Sequence, residues 1–168
     1  PDFVAAWLAA ARIGAITIPF STFSTGPELR TLLRGSDVDV LIAAASIRGR
    51  DLIAVLAELV PSLDPPILHP DLPALRRIAV KSPTGGESPA TSPEKCRQNE
   101  MEAAVRATDR MVVIHTSGST SAPKGVVHQH GSLLDHVRNL NGLRRYGPDE
   151  VLFSPSPFFW IGGFAYVL

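Results

Sequence analysis

The residues best suited to chemistry lie in one stretch, Thr116-Ser117-Gly118-Ser119-Thr120-Ser121-Ala122-Pro123-Lys124-Gly125. It opens with five consecutive small residues, four of them hydroxylated, which cannot build a core. Glycine and short side chains let backbone N–H groups turn toward one point and form a nest for an anion. The hydroxyls add further donors, and Lys124 brings a full positive charge to the far end. Such a set suits a ligand with several negative oxygens, a polyphosphate above all. On residue chemistry alone a solvated serine-rich turn stays open as the alternative.

Three common motifs differ from this stretch. A Walker loop requires Gly, four residues, then Gly-Lys-Ser/Thr, whereas Lys124 follows Pro123 and precedes Gly125. A nucleophile elbow requires Gly-x-Ser-x-Gly, whereas Ser119 is flanked at two residues by Ser117 and Ser121. Ser121-Ala122-Pro123-Lys124 does satisfy Ser-x-x-Lys, but the Ser-Asp-Asn and Lys-Thr-Gly motifs that accompany it in penicillin-binding enzymes do not occur in the chain.

The stretch resembles the core signature of adenylate-forming enzymes, Thr-Ser-Gly-(Ser/Thr)-Thr-Gly-x-Pro-Lys-Gly. This superfamily includes acyl-CoA synthetases, nonribosomal peptide adenylation domains and luciferases. Nine of ten positions agree, and Ser121 stands where the family usually has Gly. Ser121 either restricts a backbone conformation that Gly reaches freely or adds a donor to phosphate. Val126-Val127-His128-Gln129-His130 and the helix after it are similar to the family's next segment, with His130 on its histidine. Pro157-Phe158-Phe159-Trp160-Ile161-Gly162-Gly163 resembles the family's Pro-x-Phe-His-x-x-Gly, with an indole in place of the imidazole. The resemblance spans nearly the whole chain and is specific after Met111.

The resemblance implies a two-step reaction. A carboxylate attacks the α-phosphate of ATP to give an acyl-adenylate and pyrophosphate, and a thiol, commonly coenzyme A, displaces AMP. It further implies that Thr116, Ser117, Gly118, Ser119, Thr120, Ser121, Lys124 and Gly125 hold the β- and γ-phosphates, with Mg2+ shared among the oxygens. Trp160, Gly162 and His130 are implied to border the carboxylate substrate, Trp160 as an apolar wall, since indole has no titratable nitrogen. Packing in a core is the other reading of Trp160. The family's adenine-contacting aromatic motif, ribose-binding aspartate, hinge and C-terminal catalytic lysine would lie beyond Leu168, so no catalytic residue is assigned within this chain.

The elements that must position these residues follow from patterning. Residues 2–13 read as a helix stopped by Gly14, and Ala15–Pro19 as a short buried strand. Thr25–Leu33 reads as a helix with Thr25 as cap, Pro27 just inside and Gly35 after the end. Val38–Ala43 reads as a strand and Asp51–Val60 as a helix. Eight of the fifteen prolines fall between Pro61 and Pro93, so 61–93 reads as an irregular segment, with a strand at Leu75–Val80 and with Ile67, Leu68 and Ile78 packed. Pro93–Thr108 gives a weak helical pattern. Met111–His115 is a strand, Val126–His128 another, and Ser132–Arg144 a helix burying Leu133, Leu134, Val137 and Leu140. Val151–Ser154 reads as a strand and Pro155–Gly163 as a turn-rich loop. Helices alternating with short apolar strands predict an α/β fold, a largely parallel sheet flanked by helices.

Composition bounds the function. Apolar residues make up 45% and charged residues 19% of 168, as in a globular domain. Sixteen basic residues balance sixteen acidic ones, with no basic cluster, which argues against a nucleic-acid binder that relies on bulk charge. The longest apolar runs are too short for a transmembrane segment. Cys96 is the sole cysteine, so no disulfide framework exists and a cytoplasmic location fits. His128, His130 and His136 lack a Cys or carboxylate at ligand spacing for zinc. Both ends fall in apolar sequence, so residues 1–168 read as a partial N-terminal domain whose C-terminal domain is absent and whose activity needs the rest of the polypeptide. An acyl-CoA ligase is the first expectation. An adenylation domain loading a carrier protein, and a non-catalytic truncated remnant, are the rivals.

Overall fold

The computed structural model describes residues 2–81, 92–116 and 123–167. The chain divides into two units, residues 1–19 with 89–168, and residues 20–88.

In the first unit, helix α1 (Asp2–Arg12) places Asp2 in its first turn and Arg12 in its last, each favourable to the helix dipole. Gly14 ends it at φ +74°, and the N–H of Ala15 returns to the carbonyl of Ala10. Only Thr17 of the expected 15–19 strand pairs, in a parallel bridge to Val112. The Thr17 N–H donates to Met111 O and its carbonyl accepts from Val113 N–H. The helix-stopping turn at Gly14 and the missing N–H of Pro19 leave room for little more.

Helix α4 (Ser92–Ala104) joins α1 through Arg12 and Glu102, 2.7 Å apart. Strands β5 (Arg110–Thr116) and β6 (Lys124–Gln129) form an antiparallel hairpin, from which helix α5 (His130–Arg144) departs directly. Of the four α5 residues expected inside, Leu133 is buried, Val137 and Leu140 are half-buried, and Leu134 is exposed. Helix α6 (Ile161–Val167) begins inside the segment expected to be loop. Val151–Ser154 form no strand: Val151 and Phe153 are exposed, and no strand among the described residues pairs with them. The core gathers Trp7, Ala11, Met111, Val112, Ile114, Leu133, Phe164 and Ala165. Trp7 meets Phe164 edge-on at 4.5 Å between ring centroids, a favoured aromatic geometry.

In the second unit, helix α2 (Gly26–Gly35) starts with a capping box. Thr25 Oγ1 accepts from Glu28 N–H, and Glu28 Oε2 accepts from Thr25 N–H at 2.8 Å. The Thr25 N–H foremost, then the Thr25 hydroxyl, hold the Glu28 carboxyl below its usual range. Arg50 donates to the carbonyls of Thr22 and Ser24, both at 2.6 Å, and so fixes the approach to that cap. Strand β1 (Val40–Ala44) pairs in parallel with β4 (Arg77–Lys81), while β2 (Ser46–Ile47) and β3 (Arg50–Asp51) form a minimal antiparallel turn. Helix α3 (Leu52–Ala57) is capped by Asp51 and is shorter than expected; Glu58 keeps helical dihedrals, and Pro61 disfavours the helical region only at Val60. The irregular span 61–76 is packed as expected at Ile67, but Leu68 is exposed. Leu72 and Leu75 complete that core with Leu33, Leu41, Leu56, Leu59, Val60 and Ile78. The fold is α/β with parallel pairing at β1–β4 and Thr17–Val112, to which two antiparallel hairpins are added.

Candidate functional site

The hairpin places the two ends of the hydroxyl-rich stretch side by side. Thr116 is the last residue of β5, Lys124 the first of β6, and they are register partners. Thr116 Oγ1 donates to the Lys124 carbonyl at 3.3 Å, which braces the mouth of the loop. Lys124 is exposed. Lys124 and Gly125 therefore belong to a strand rather than to the loop itself. Ser117, Gly118, Ser119, Thr120 and Ser121 lie outside the described residues.

Gly125 is required by close approach. A Cβ there would lie 2.7 Å from Val113 Cγ1, inside contact distance, and 3.7 Å from His115 Nε2. His115 is the register partner of Gly125 and half-buried, and this burial pushes its imidazole below the ordinary histidine value.

His130 sits at the other end of β6. Six residues at ~3.3 Å each put it roughly 20 Å from Lys124 along the strand. Its side chain is buried, and its Nε2 has no hydrogen-bond partner among the described residues. The helix it begins has no side-chain cap at Gln129. Backbone carbonyls serve instead: His130 N–H donates to Asp109 O at 3.1 Å and Gly131 N–H to Ala107 O at 2.8 Å. A Cβ on Gly131 would stand 3.0 Å from the Ala107 carbonyl, so glycine permits this docking. The short sequence Gly131 after His130 is the only local sign of it.

Trp160 immediately precedes α6, and its carbonyl accepts from Phe164 N–H at 2.8 Å. At 57% exposure it is not a core residue in this chain. Its ring meets Phe159 edge-on at 5.5 Å, while Phe158 stacks on Phe3 at 5.6 Å. Gly162 is half-buried, and a Cβ there would approach Ser156 Oγ to 3.2 Å. Gly163, which patterning did not single out, is the more constrained, since a Cβ would run into the Pro157 carbonyl. Helices α5 and α6 pack on each other, so the structure brings the His130 and Trp160 helices together and keeps His130 away from Lys124.

The donor set fits a polyphosphate. An exposed ammonium and a glycine backbone stand at the mouth of a loop whose ten-residue sequence, Thr116–Gly125, contains no carboxylate to repel it. Among the described residues no three His, Cys, Asp or Glu side chains are grouped to hold a metal, and no helix is long and apolar enough to cross a membrane.

Residues 1–168 match the AMP-binding enzyme family. The chain belongs to that family. It is 28% identical, over its full length, to the acetyl-coenzyme A synthetase of Shewanella sp. (strain MR-4), of which it spans 27%. The ATP-bound MatB of Rhodopseudomonas palustris superposes with a TM-score of 0.65 at 20% identity, over 97% of this chain and 29% of that protein. An acyl-CoA synthetase of Brucella canis gives a TM-score of 0.65 at 21% identity, over 99% of this chain and 28% of that one. The AMP-binding family thus accounts for the fold, and this chain spans about a quarter of the length of the relatives it matches.

Proposed function

We propose that this chain supplies the phosphate-holding part of an ATP-dependent acyl-CoA synthetase that works in the cytoplasm. The observation that carries this reading is the Thr116–Lys124 pair, which joins the two ends of the signature stretch and leaves Lys124 exposed there.

In the proposed reaction a carboxylate oxygen bonds to the α-phosphorus of ATP, the bond to the β-phosphate breaks, and pyrophosphate leaves. The thiol sulfur of coenzyme A then bonds to the acyl carbon and AMP departs. Lys124 neutralises charge on the β- and γ-phosphates, and the backbone and hydroxyls from Thr116 to Ser121, with Gly125, orient them. Positioning and charge neutralisation are the main contributions a protein makes to such chemistry. Mg2+, carried on the phosphate oxygens, would supply further neutralisation. Trp160, Gly162 and His130 are assigned to the carboxylate side. The name of the Shewanella relative favours coenzyme A over a carrier protein as acceptor.

The test uses the complete polypeptide with ATP, Mg2+, coenzyme A and a panel of carboxylic acids. AMP, pyrophosphate and an acyl thioester, formed in an acid-dependent manner, are expected. ADP and phosphate as products would overturn the reading. Transfer to a phosphopantetheinylated carrier but not to coenzyme A would replace it with carrier loading.

A further inference from the structure

Glycine inside a strand weakens it, because it adds backbone entropy and offers no side chain to pack. Gly125 is such a residue, and it sits one position from the loop mouth. An aromatic ring from the opposite strand can compensate by covering the bare backbone. His115 is that opposite residue. Its Nε2 and Cδ2 lie 3.7 and 4.0 Å from where a Gly125 Cβ would be, so the ring stands beside the face that the missing side chain leaves bare. Val113, two residues back on the same face, covers Gly125 from the other side, with Cγ1 2.7 Å from that point. The next pair, Thr116 and Lys124, belongs to the opposite face.

We infer that His115 is a positioning residue for the phosphate loop, its ring edge lying over the Gly125 backbone and fixing the strand pair next to Lys124. The ring acts by shape. Burial favours its neutral form, so the positive charge at the mouth comes from Lys124. The geometry stands by itself, whereas the link to ATP rests on the proposed function.

The experiment uses the complete polypeptide and three variants, His115→Ala, His115→Phe and His115→Gln. Two readouts are taken: amide hydrogen exchange at residues 124–127 without nucleotide, and KM and kcat for ATP in acid-dependent pyrophosphate exchange. His115→Ala is expected to speed amide exchange at 124–127 while α5 keeps its protection. The same variant should raise KM for ATP by up to about fivefold with kcat little changed, the span of one cross-strand pair. His115→Phe should restore both readouts, and His115→Gln neither. Unchanged amide exchange in His115→Ala overturns the inference, as does rescue by Gln equal to that by Phe, which would assign the role to a polar atom. If the wild type shows no acid-dependent reaction, the proposed function fails, and the amide exchange alone decides the role of His115.

Discussion

Burial of the His115 imidazole makes its charged form costly in the folded chain, so its folded pKa lies below the ordinary 6.5. The unfolded chain then binds more protons between the two values, and stability rises with pH across that window. The contribution is fully present above about 6.5 and is lost as pH falls toward the depressed folded value. Urea midpoints measured from pH 5 to 8 should therefore drop less steeply on acidification in His115→Phe than in the wild type. Parallel curves would remove this account of His115. Trp160 makes a different case. Its exposure predicts that Trp160→Ala changes stability by no more than about 0.5 kcal/mol, as at most surface positions. In the complete enzyme the same change should shift preference toward bulkier acids, within the roughly 1–3 kcal/mol that an apolar pocket discriminates per methylene. A panel of acids graded in length and branching measures this through kcat/KM. A uniform loss with unchanged rank order would contradict the assignment to the acyl side.

At the scale of elements, the β5–β6 hairpin depends on close approach at Gly125. Gly125→Ala drives a methyl into Val113 Cγ1, and overpacking of this kind costs about 1–3 kcal/mol. Because one side-chain atom makes the clash, Val113→Ala should recover part of the loss in the double variant. Denaturant unfolding of the single and double variants checks this. Additive losses would show that the glycine is needed for another reason. Several elements were legible from local chemistry. Thr25 caps α2 and Gly14 stops α1 as expected, whereas Asp51, read as the first residue of its helix, is the cap of α3. The hairpin partnership was not legible, because the connection between Thr116 and Lys124 has none of the short turn signals that mark a hairpin. Ala15–Pro19 and Val151–Ser154 carry strand-like residues, yet strand formation needs a partner that local patterning cannot see. The cap of α5 was hidden for the same reason, since it is made by carbonyls of residues 107 and 109.

For the whole molecule, each of the two units has its own apolar cluster. The proposed chemistry falls in the unit that carries β5, β6 and α5. The proposed phosphate site was named from sequence because small residues, hydroxyls and a lysine adjoin there. The proposed acyl side is less local, since Trp160, Gly162 and His130 lie on or beside α5 and α6, which pack on each other. The most direct measurement of the central claim is acid-dependent ATP–pyrophosphate exchange by the complete polypeptide, wild type against Lys124→Ala. Removing a charged donor to phosphate typically costs about 1.5–3 kcal/mol, so kcat/KM for ATP should fall by roughly ten- to a hundredfold. An unchanged kcat/KM in Lys124→Ala, or no exchange with any acid in the wild type, would contradict the account.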